Sequence, residues 1–478
     1  MRRLTGIALA AAGLAGCTTV GPNFVRPAPP SASGYAMAGD AAAPAVALTP
    51  EKRTLGAWWR GLGSRQLDAV MDQALADNQT VAEAIAALDK AREQAASVRG
   101  GTAPQVNGSA SAVEERINTA AFGFTGFPSP TIHLLSVGAA VSYDLDLFGG
   151  ERRQVEAASA AAEAQRHRAD AAYITLTGNV AMAALRIAAI RAQMDAVEAI
   201  IADDRRNLDI ADRAAAAGGA SPSAATGPSA QLSSDQALLP PLAQQLAQAR
   251  HNLALLVGKP TAVWNAPAFD VGEFAIPATI PVELPASLVR ARPDILAAEA
   301  ELHADTARIG VETANLYPDI KLQASFAQMA LKPGSLFSYG ASGWSIGPQL
   351  TAPIFNGGRL KANQRAAEAQ ARASLAQYRQ TVLTAFTQVA DVLTALAHDR
   401  DRIAALTAAR DTAQKAVDDV RNAFRLGGGP LIDLVTQQRQ LDRTRLDLVQ
   451  AQSQQLMDIV ELYAVTATDW RESPAGTP

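Results

Sequence analysis

The longest hydrophobic pattern of the chain begins with a short alternating one. Across residues 344–350, apolar residues alternate with polar or small residues, which is the period of a strand with two different faces. The pair Gly357-Gly358 then breaks the pattern. Residues 359–426 contain neither glycine nor proline, and apolar residues recur there at spacings of three and four, interrupted at Asp399 and Arg410. Such a seam predicts a coiled-coil helix roughly 100 Å long. Its apolar positions are Leu375, Tyr378, Val382, Ala385, Val389, Val392, Leu396, Ile403, Leu406, Ala413, Val417, Val420 and Phe424.

The same pattern occurs in the first half of the chain. Another alternating run is followed by a stretch without proline, residues 151–217, that carries a similar seam. Val180 and Val389 are 209 positions apart, and so are Gly218 and Gly427, which places the two seams in phase. The first seam consists of Tyr173, Leu176, Val180, Ala183, Ile187, Ile190, Met194, Val197, Ile201, Leu208 and Ala211, with a break at Asp204.

The matching seams and breakers predict a tandem duplication of one unit: helix, two strands, long helix, turn and helix. We therefore expect a mainly α-helical fold with a small β part, in which two long coiled-coil hairpins are each preceded by a pair of strands. The strands are expected at about 104–148 and 318–355, and the long helices at about 151–217 and 359–426. The predicted parts are an export signal (1–16), an extended tether (17–55), a first repeat (56–260), a linker (261–285), a second repeat (286–470) and a disordered tail (471–478).

The first sixteen residues have the features of an export signal. Arg2 and Arg3 precede an apolar core at 7–14, which is too short to cross a bilayer as a helix. The core ends in Leu-Ala-Gly before Cys17, the single cysteine of the chain, and this resembles the lipobox of bacterial lipoproteins. Such signals imply cleavage before Cys17 and its acylation, and the following Thr18, instead of Asp, points to the outer membrane. The alternative is an ordinary secreted protein with a chance cysteine.

The predicted strands are long enough for tilted membrane crossings, which take about 9–11 residues each. A soluble hairpin would show the same alternation. Outside the signal there is no unbroken run of eighteen apolar residues, so no transmembrane helix is expected. In lipid, strands must form a closed barrel, and four strands are too few to close one that keeps a channel open. Several chains must therefore share a barrel if these strands cross a membrane.

Composition and side-chain chemistry exclude several classes of function. The net charge of −4 and a pI near 5.8 give no electrostatic footprint for nucleic acid. The five histidines are scattered, and His303 is expected to be a helix-surface residue. The adjacent acidic pairs Asp203-Asp204 and Asp418-Asp419 are expected to be solvated. We find no catalytic constellation, no phosphate-binding loop and no metal motif, so neither an enzyme nor a cofactor is predicted.

Several segments together carry a family resemblance: LVRARPDILAAEAEL, ANLYPDIKL, IFNGGRLKANQRAAEAQ, YRQTVLTAFTQVADVL and LALLVGKP. With them the chain resembles the TolC-like outer-membrane channel family over residues 17–470, and specifically its lipoprotein branch, which serves RND-type multidrug efflux pumps. The resemblance implies a homotrimer with one twelve-stranded barrel in outer-membrane lipid, continued by a helical tunnel through the periplasm. It also implies two partners, an inner-membrane RND-type transporter and a periplasmic membrane-fusion adaptor.

The resemblance assigns roles to the two turns after the long helices. In the family, the hairpin tips meet the adaptor. Arg213 and Gly218 match the pattern of the first tip, although Ala224 replaces the usual Asp. At the second tip, which reads Tyr-x-x-Gly in the family, Gly427 matches the pattern and Phe424 stands at the Tyr position. Simple turn formation by the two glycines is compatible with docking and is the alternative role for them.

In the family, acidic or bulky residues just after the second tip constrict the periplasmic end of the tunnel. Here Asp433 matches one acidic position, Thr436 replaces another, and Ile432 is expected to supply an apolar constriction. A carboxylate favoured by the helix dipole is the alternative role of Asp433. The expected mechanism is passive conduction, in which the transporter supplies the energy and the channel opens when its inner hairpins move outward.

Two other functions fit parts of the sequence. The duplicated hairpins alone would suit a soluble periplasmic coiled-coil adaptor or scaffold that is anchored only by its lipid. Such a protein would be a soluble monomer without acylation. An exit duct for secreted proteins is the other alternative, and the lipobox favours the efflux branch over it.

Overall fold

The computed structural model describes residues 19–30, 34–37, 57–123, 125–219, 221–275 and 285–466. The chain divides into two compact units. Unit 1 consists of residues 1–27, 87–165 and 297–378, and unit 2 consists of residues 28–86, 166–296 and 379–478. Two of the boundaries fall inside the long helices, so each long helix contributes residues to both units.

The elements follow the order that the duplication predicts. Within the described residues, the first half contains α1 (Arg65–Asp77), α2 (Gln79–Gly101), β1 (Gln105–Arg116), β2 (Thr131–Asp144), α3 (Gly150–Ala216), α4 (Thr226–Gln236) and α5 (Leu239–Leu256). The second half contains α6 (Pro285–Ala291), α7 (Pro293–Ala314), β3 (Asp319–Ala330), β4 (Ser342–Thr351), α8 (Arg359–Arg425) and α9 (Leu431–Thr466). The long helices α3 and α8 both have 67 residues. The mainly helical fold with a small β part is therefore confirmed.

Helix α3 begins directly after a capped turn at the end of the sheet. The Asp146 carboxylate accepts hydrogen bonds from the backbone N–H groups of Glu151 (2.9 Å) and Arg152 (3.0 Å), which have no acceptor within the helix. The preceding Gly149 has a φ of 76°, a conformation that favours glycine. The turn at Gly149 therefore reverses the chain directly before the long helix α3 begins.

Unit 1 contains one four-stranded antiparallel sheet in the order β1-β2-β3-β4. Its register pairs Val106 with Val141, Val141 with Ala324, and Ala324 with Ile346. Strands β1 and β4 each pair with one neighbour, so the sheet has an open edge on both sides within the part of the chain described. The side chains of β1 are exposed along its whole length.

Residues 19–30, a described part of the predicted tether, form neither helix nor strand, and residues 19–27 lie against the helices of unit 1. We call this segment the N-terminal strap. The backbone N–H of Val20 donates to the carbonyl oxygen of Phe148 (3.0 Å). The guanidinium of Arg153, which is 3% exposed, donates to the Val20 carbonyl (3.1 Å) and to Asn23 Oδ1 (2.7 Å). The strap is thus held by a buried cation as well as by backbone contacts.

The strap also changes the surroundings of His303. The Phe24 ring stacks on the His303 ring with 4.5 Å between the centroids, and His303 Nε2 lies 2.9 Å from Glu156 Oε1. His303 is half-buried, so it lies at the helix surface as expected, but the strap covers part of its ring. The sequence could not show this, because the covering residue lies far away in the chain.

Unit 2 contains two helical hairpins that differ in their returning helices. The return after α3 is divided into α4 and α5, and Pro240 and Pro241 occupy the first turn of α5, where a missing N–H costs nothing. The return after α8 is the single helix α9 of 36 residues. The predicted interruption at the two prolines therefore starts a new helix.

The two long helices bury different fractions of their surface in unit 2. Along α8, the predicted seam forms one buried stripe that includes Val382, Val389 and Leu396. Along α3, nearly the whole circumference is buried between 176 and 190, with Asn179 and Arg186 exposed. The seam residues therefore include most of the buried positions of α8 in unit 2 but only some of those of α3.

The helical region before the first strand is divided into α1 and α2. Asn78 adopts an extended backbone between α1 and α2, and its Oδ1 accepts from the Val81 N–H (3.0 Å) as an N-cap. Its Nδ2 donates to the Leu256 carbonyl (2.8 Å), so a contact distant in sequence also fixes this break.

By length and composition, one described helix, α3, is apolar enough to cross a membrane. The apolar window has 18 residues, and 67% of it is buried within the protein. An unbroken apolar run, the feature sought in the sequence, misses this window because polar residues interrupt it. The buried share is typical of a helix in a protein core.

Candidate functional site at the hairpin tips

The first hairpin of unit 2 turns at Gly218, which has a φ of 73°. Helix α3 ends in a Schellman motif: Gly219 N–H donates to the Ala214 carbonyl (2.9 Å), and Gly218 N–H donates to the Ala215 carbonyl (3.1 Å). A Cβ atom at Gly218 would meet nothing within 4 Å. The glycine is therefore needed for its backbone conformation, and the space beside it is open in the chain.

The second hairpin turns at Gly427 in the same way. Gly427 has a φ of 76°, Gly428 N–H donates to the Ala423 carbonyl (2.9 Å), and Gly427 N–H donates to the Phe424 carbonyl (3.0 Å). A Cβ atom at Gly427 would also meet nothing within 4 Å. The duplication thus extends to individual hydrogen bonds at the tips.

The other predicted tip residues lie beside these turns. Arg213 is exposed and forms an ion pair with Asp209 one helical turn earlier, at 2.8 Å. Phe424 is half-buried, whereas Leu426 is 87% exposed. Exposed apolar and cationic side chains at an open turn can contact another protein.

The predicted gate residues share one exposed face of α9. Ile432, Asp433 and Thr436 are exposed, while Leu434 and Val435 between them are buried. The Thr436 hydroxyl donates to the Ile432 carbonyl (2.8 Å), so it is bonded within its own helix. In one chain this face is open. It can narrow a passage if further copies of the chain bring the same face together.

A buried carboxyl cluster lies on the helices behind the tips. Asp204 is 5% exposed, and burial, followed by a hydrogen bond with Asp235, raises its pKa to about 7. Asp442 is also buried, and burial raises its pKa to about 6. The expected solvation of Asp204 is therefore wrong, whereas Asp418 and Asp419 are exposed as expected. The break of the first seam at Asp204 was the sequence signal for this cluster, and Asp235 and Asp442 have no comparable signal.

The sheet of unit 1 has one apolar face. Cross-strand pairing aligns apolar side chains in rows, such as Val106, Val141, Ala324 and Ile346. Another such row consists of Gly108, Ala139, Phe326 and Trp344. The large side chains of these rows are exposed in the chain, and Trp344 is 76% exposed. An exposed apolar face of this kind requires a nonaqueous surrounding or a partner.

The opposite face of the sheet has rows of polar and small residues, although Val113 and Leu134 also lie on this face. One row consists of Asn107, Ala140, Ser325 and Ser345, and the hydroxyl groups of its two serines lie 2.8 Å apart. Another row consists of Gln105, Ser142, Gln323 and Gly347. A polar face opposite an apolar one is the pattern of a barrel between lipid and a water-filled interior.

The described residues contain no group of three or more His, Cys, Asp or Glu side chains that could hold a metal ion. The predicted lipidation residue, Cys17, lies outside the described residues.

Comparisons with known proteins agree with this architecture. The family model described as outer membrane efflux protein matches residues 70–259 and 284–468. OprJ, an outer membrane protein of Pseudomonas aeruginosa, is 28% identical over 461 residues, which are 96% of this chain and 94% of OprJ. SilC, a probable outer membrane lipoprotein of Salmonella typhimurium, is 25% identical over 96% of this chain and 97% of its own length. The solved structure of the outer-membrane channel OprN superposes with a TM-score of 0.86 at 25% identity, covering 95% of this chain and 100% of OprN. The two matched segments exceed half of the sequence, and the chain belongs to the family of outer membrane efflux proteins.

Proposed function

We propose that three copies of this chain form one passive exit duct in the outer membrane of a Gram-negative cell. An inner-membrane RND-type transporter supplies the energy, and a periplasmic membrane-fusion adaptor connects it to the duct. The cargo is drugs or other small toxic compounds. Membership of the family of outer membrane efflux proteins supports this role.

The two-faced sheet is the observation that supports the shared barrel most directly. Its apolar face suits lipid, and its polar face suits a water-filled interior. Its two edge strands, β1 and β4, would pair with the sheets of neighbouring chains, because unpaired edges are not tolerated in lipid. Four strands from each of three chains make twelve, enough to enclose a channel.

The oligomer can be tested by native mass measurement on detergent-extracted protein, before and after heating. We expect a trimer that heat converts to monomers, each chain starting at an acylated Cys17. A monomer that stays soluble once its lipid is removed would instead identify a lipid-anchored scaffold.

Lipidation of Cys17 has a separate test. The likeness to SilC, a probable outer membrane lipoprotein, supports a lipid anchor on this chain as well. Cys17→Ser should weaken membrane attachment and leave the trimer intact, because the barrel itself holds the chain in lipid. Loss of the trimer in this variant would contradict a purely anchoring role.

We further propose that Ile432, Asp433 and Thr436 of the three chains constrict the periplasmic end. Their common exposed face on the first turns of α9 supports this role. Asp433→Ala should raise the conductance of the reconstituted trimer and reduce its cation selectivity. Asp419→Ala, which removes an exposed carboxylate from α8, serves as the matched control.

The alternative role of Asp433 gives a different result. A carboxylate that only favours the helix dipole contributes about 0.3–1 kcal/mol to stability. Asp433→Ala would then lower the midpoint of unfolding slightly and leave conductance and selectivity unchanged. That outcome would remove Asp433 from the gate.

The two tips are proposed to contact the adaptor through Arg213, Gly218, Phe424 and Gly427. Gly218→Asn and Gly427→Asn separate docking from turn formation, because asparagine accepts a left-handed backbone while adding a side chain. If the tips dock, these variants should keep the folded trimer and lose adaptor binding and export. Unchanged binding in both variants would leave the glycines as turn residues only.

A further inference from the structure

The carboxyl cluster connects the first hairpin of unit 2 with a helix of the second. Asp204 belongs to α3, Asp235 to α4 and Asp442 to α9. Asp235 raises the pKa of both other groups by its charge. Asp204 precedes Gly218 by 14 residues, and Asp442 follows Gly427 by 15. At the rise of an α-helix, the cluster therefore lies about 20 Å from each tip.

One oxygen of this cluster lacks a donor. Asp204 Oδ2 is buried and has no hydrogen-bond partner among the described residues. The Asp204 carboxyl is within hydrogen-bonding reach of Asp235. Two carboxylates only accept hydrogen bonds, so they can bond to each other only when one of them carries a proton. A proton on Asp204 satisfies the buried oxygen and removes the repulsion between two anions.

A second set of groups links α9 to α3 in the same layer. Gln438 Nε2 donates to Asp442 Oδ1 (3.0 Å) and to Asp203 Oδ2 (3.2 Å). Arg445 lies 3.7 Å from Asp203 and 3.8 Å from Asp442. The other charged or polar groups that face the cluster and its partners are Arg206, Gln231, Arg439, Arg421 and Gln414. The cluster is thus part of a polar contact between the hairpins, in which Gln438 and Arg445 of α9 reach Asp203 of α3.

We propose that the carboxyl cluster is a proton-binding site that holds the two hairpins of unit 2 together. With the proton shared between Asp204 and Asp235, α9 packs closely against α3 and α4. When the proton leaves, three carboxylates repel one another at this contact and the second hairpin is released. The proton is the ligand, and the metal alternative is not supported, because the described residues contain no metal-binding group.

The direction of the pH dependence follows from the raised pKa of Asp204, which is about 7 in the folded protein against about 3.9 for an unperturbed Asp. The folded state binds more protons than the unfolded state between these values. The contact is therefore strongest below pH 4 and weakens as pH rises through about 7. Neutral pH is therefore close to the pH at which Asp204 loses its proton.

A second buried carboxyl pair provides a matched comparison. Asp399 on α8 and Asp458 on α9 are both 7% exposed, and Asp399 Oδ2 also lacks a partner among the described residues. Burial, followed by a hydrogen bond with Asp458, raises the pKa of Asp399 to about 6. This pair lies within the second hairpin, so its titration changes the stability of that hairpin and not its contact with the first.

The test measures the distance between the two tips as a function of pH. Ala217 and Leu426 are exposed and occupy equivalent positions beside the two turns, so Ala217→Cys and Leu426→Cys accept spin labels without disturbing the core. The labels are placed in full-length protein with Cys17→Ser, assembled with an excess of cysteine-free chain so that most trimers carry one labelled chain. Pulsed electron paramagnetic resonance then gives the distance distribution.

We expect a narrow distribution at pH 5.5 and a longer or broader one at pH 8.5, with a midpoint near pH 7. Asp204→Asn should keep the narrow distribution at both pH values, because its amide can donate to Asp235 without a bound proton. Asp399→Asn, the matched control, should respond to pH as the unmodified chain does. A tip-to-tip distance distribution that does not change with pH would overturn the proposal. An Asp204→Asn variant whose distribution still changes with pH would also overturn it.

Two further measurements keep the test decisive. If Asp204→Asn does not fold, Asp235→Asn removes the same carboxyl pair from α4 and makes the same prediction. The link to channel opening rests on the proposed function and is tested by conductance of the reconstituted trimer over the same pH range. Constant conductance with a changing tip distance would retain the proton-binding contact and reject its role in opening.

Discussion

The two hairpins of unit 2 descend from one duplicated element and now differ in how firmly they are held. Their long helices have equal length and their tips have the same hydrogen bonds. Helix α3 is buried on nearly all sides in its middle, whereas α8 is buried along one stripe. The long helix of the first hairpin is therefore enclosed by the protein in its middle. The long helix of the second hairpin leaves most of its surface exposed.

The returning helices show the same difference. The first return contains Pro222, Pro228, Pro240 and Pro241, and it is divided into short helices. The second return, α9, has no proline after Pro430 and is continuous over 36 residues. A continuous helical hairpin can move as one body, while a divided one bends locally. The second hairpin is therefore the better candidate for the moving part.

The largest expected effect comes from placing a charge in each seam. Val180 on α3 and Val389 on α8 are equivalent positions, and both are fully buried. Val180→Asp should cost about 3–5 kcal/mol, as an unpaired buried charge does. Val389→Asp should cost clearly less, because exposed positions flank the stripe of α8 and let the carboxylate reach solvent. Thermal unfolding of the two variants in detergent measures the difference.

Equal losses for these two variants would mean that α8 is as enclosed as α3 in the assembled protein. The second hairpin would then have no more freedom than the first. Val180→Ala and Val389→Ala serve as controls, because they remove the same volume without adding a charge.

The next effect tests the continuity of α9. Ala451 is fully buried in the middle of this helix. Ala451→Pro should cost about 3 kcal/mol or more, because proline removes a helical hydrogen bond and its ring clashes with the preceding turn. Pro240→Ala at the start of α5 should cost less than about 1 kcal/mol, because the first turn of a helix tolerates either residue. The midpoint of thermal unfolding and the export of a dye report both changes.

Retained export in the Ala451→Pro variant would contradict the importance of a continuous second hairpin. Retained stability would show that α9 is already bent at this position in solution.

A smaller effect is expected on the pH dependence of stability in the second hairpin. Because the pKa of Asp399 is raised to about 6, the folded state binds its proton more tightly than the unfolded state does. This group's stabilising contribution is present below about pH 4 and is lost as pH rises through about 6. Asp399→Asn should reduce the fall in unfolding midpoint over that range. A pH profile that is unchanged in the variant would show that Asp399 is not protonated in the folded protein.

The local pattern of the sequence was sufficient to predict the long helices, strands and turns. Seam spacing and the glycines after each long helix act within a few residues, so no tertiary information was needed. The break at Asn78 and the strap held by Arg153 were not predicted, since both depend on contacts with residues far away in the chain.

The residues of the candidate site also include some that the sequence predicted and some that it did not. Gly218 and Gly427 stood out in the sequence because a turn after a long helix favours glycine. The roles assigned to Ile432, Asp433 and Thr436 came from the family resemblance and remain proposals. Asp235 and Asp442 were missed because an aspartate on a helix has no local signal that tells a buried position from an exposed one.

The smallest effect is expected from substitutions at the two tips, where the hairpins are most alike. Gly218→Ala and Gly427→Ala should each cost about 1 kcal/mol, because alanine is strained at a positive φ while its Cβ would meet no neighbour. Hydrogen exchange at the amides of Gly219 and Gly428, which close the two Schellman motifs, measures the loss at each tip. Equal losses are expected if both turns are open in the trimer. An unequal loss would mean that a neighbouring chain covers one tip. The more affected glycine would then identify the hairpin that the assembly encloses. The other hairpin would be the one left free for the adaptor.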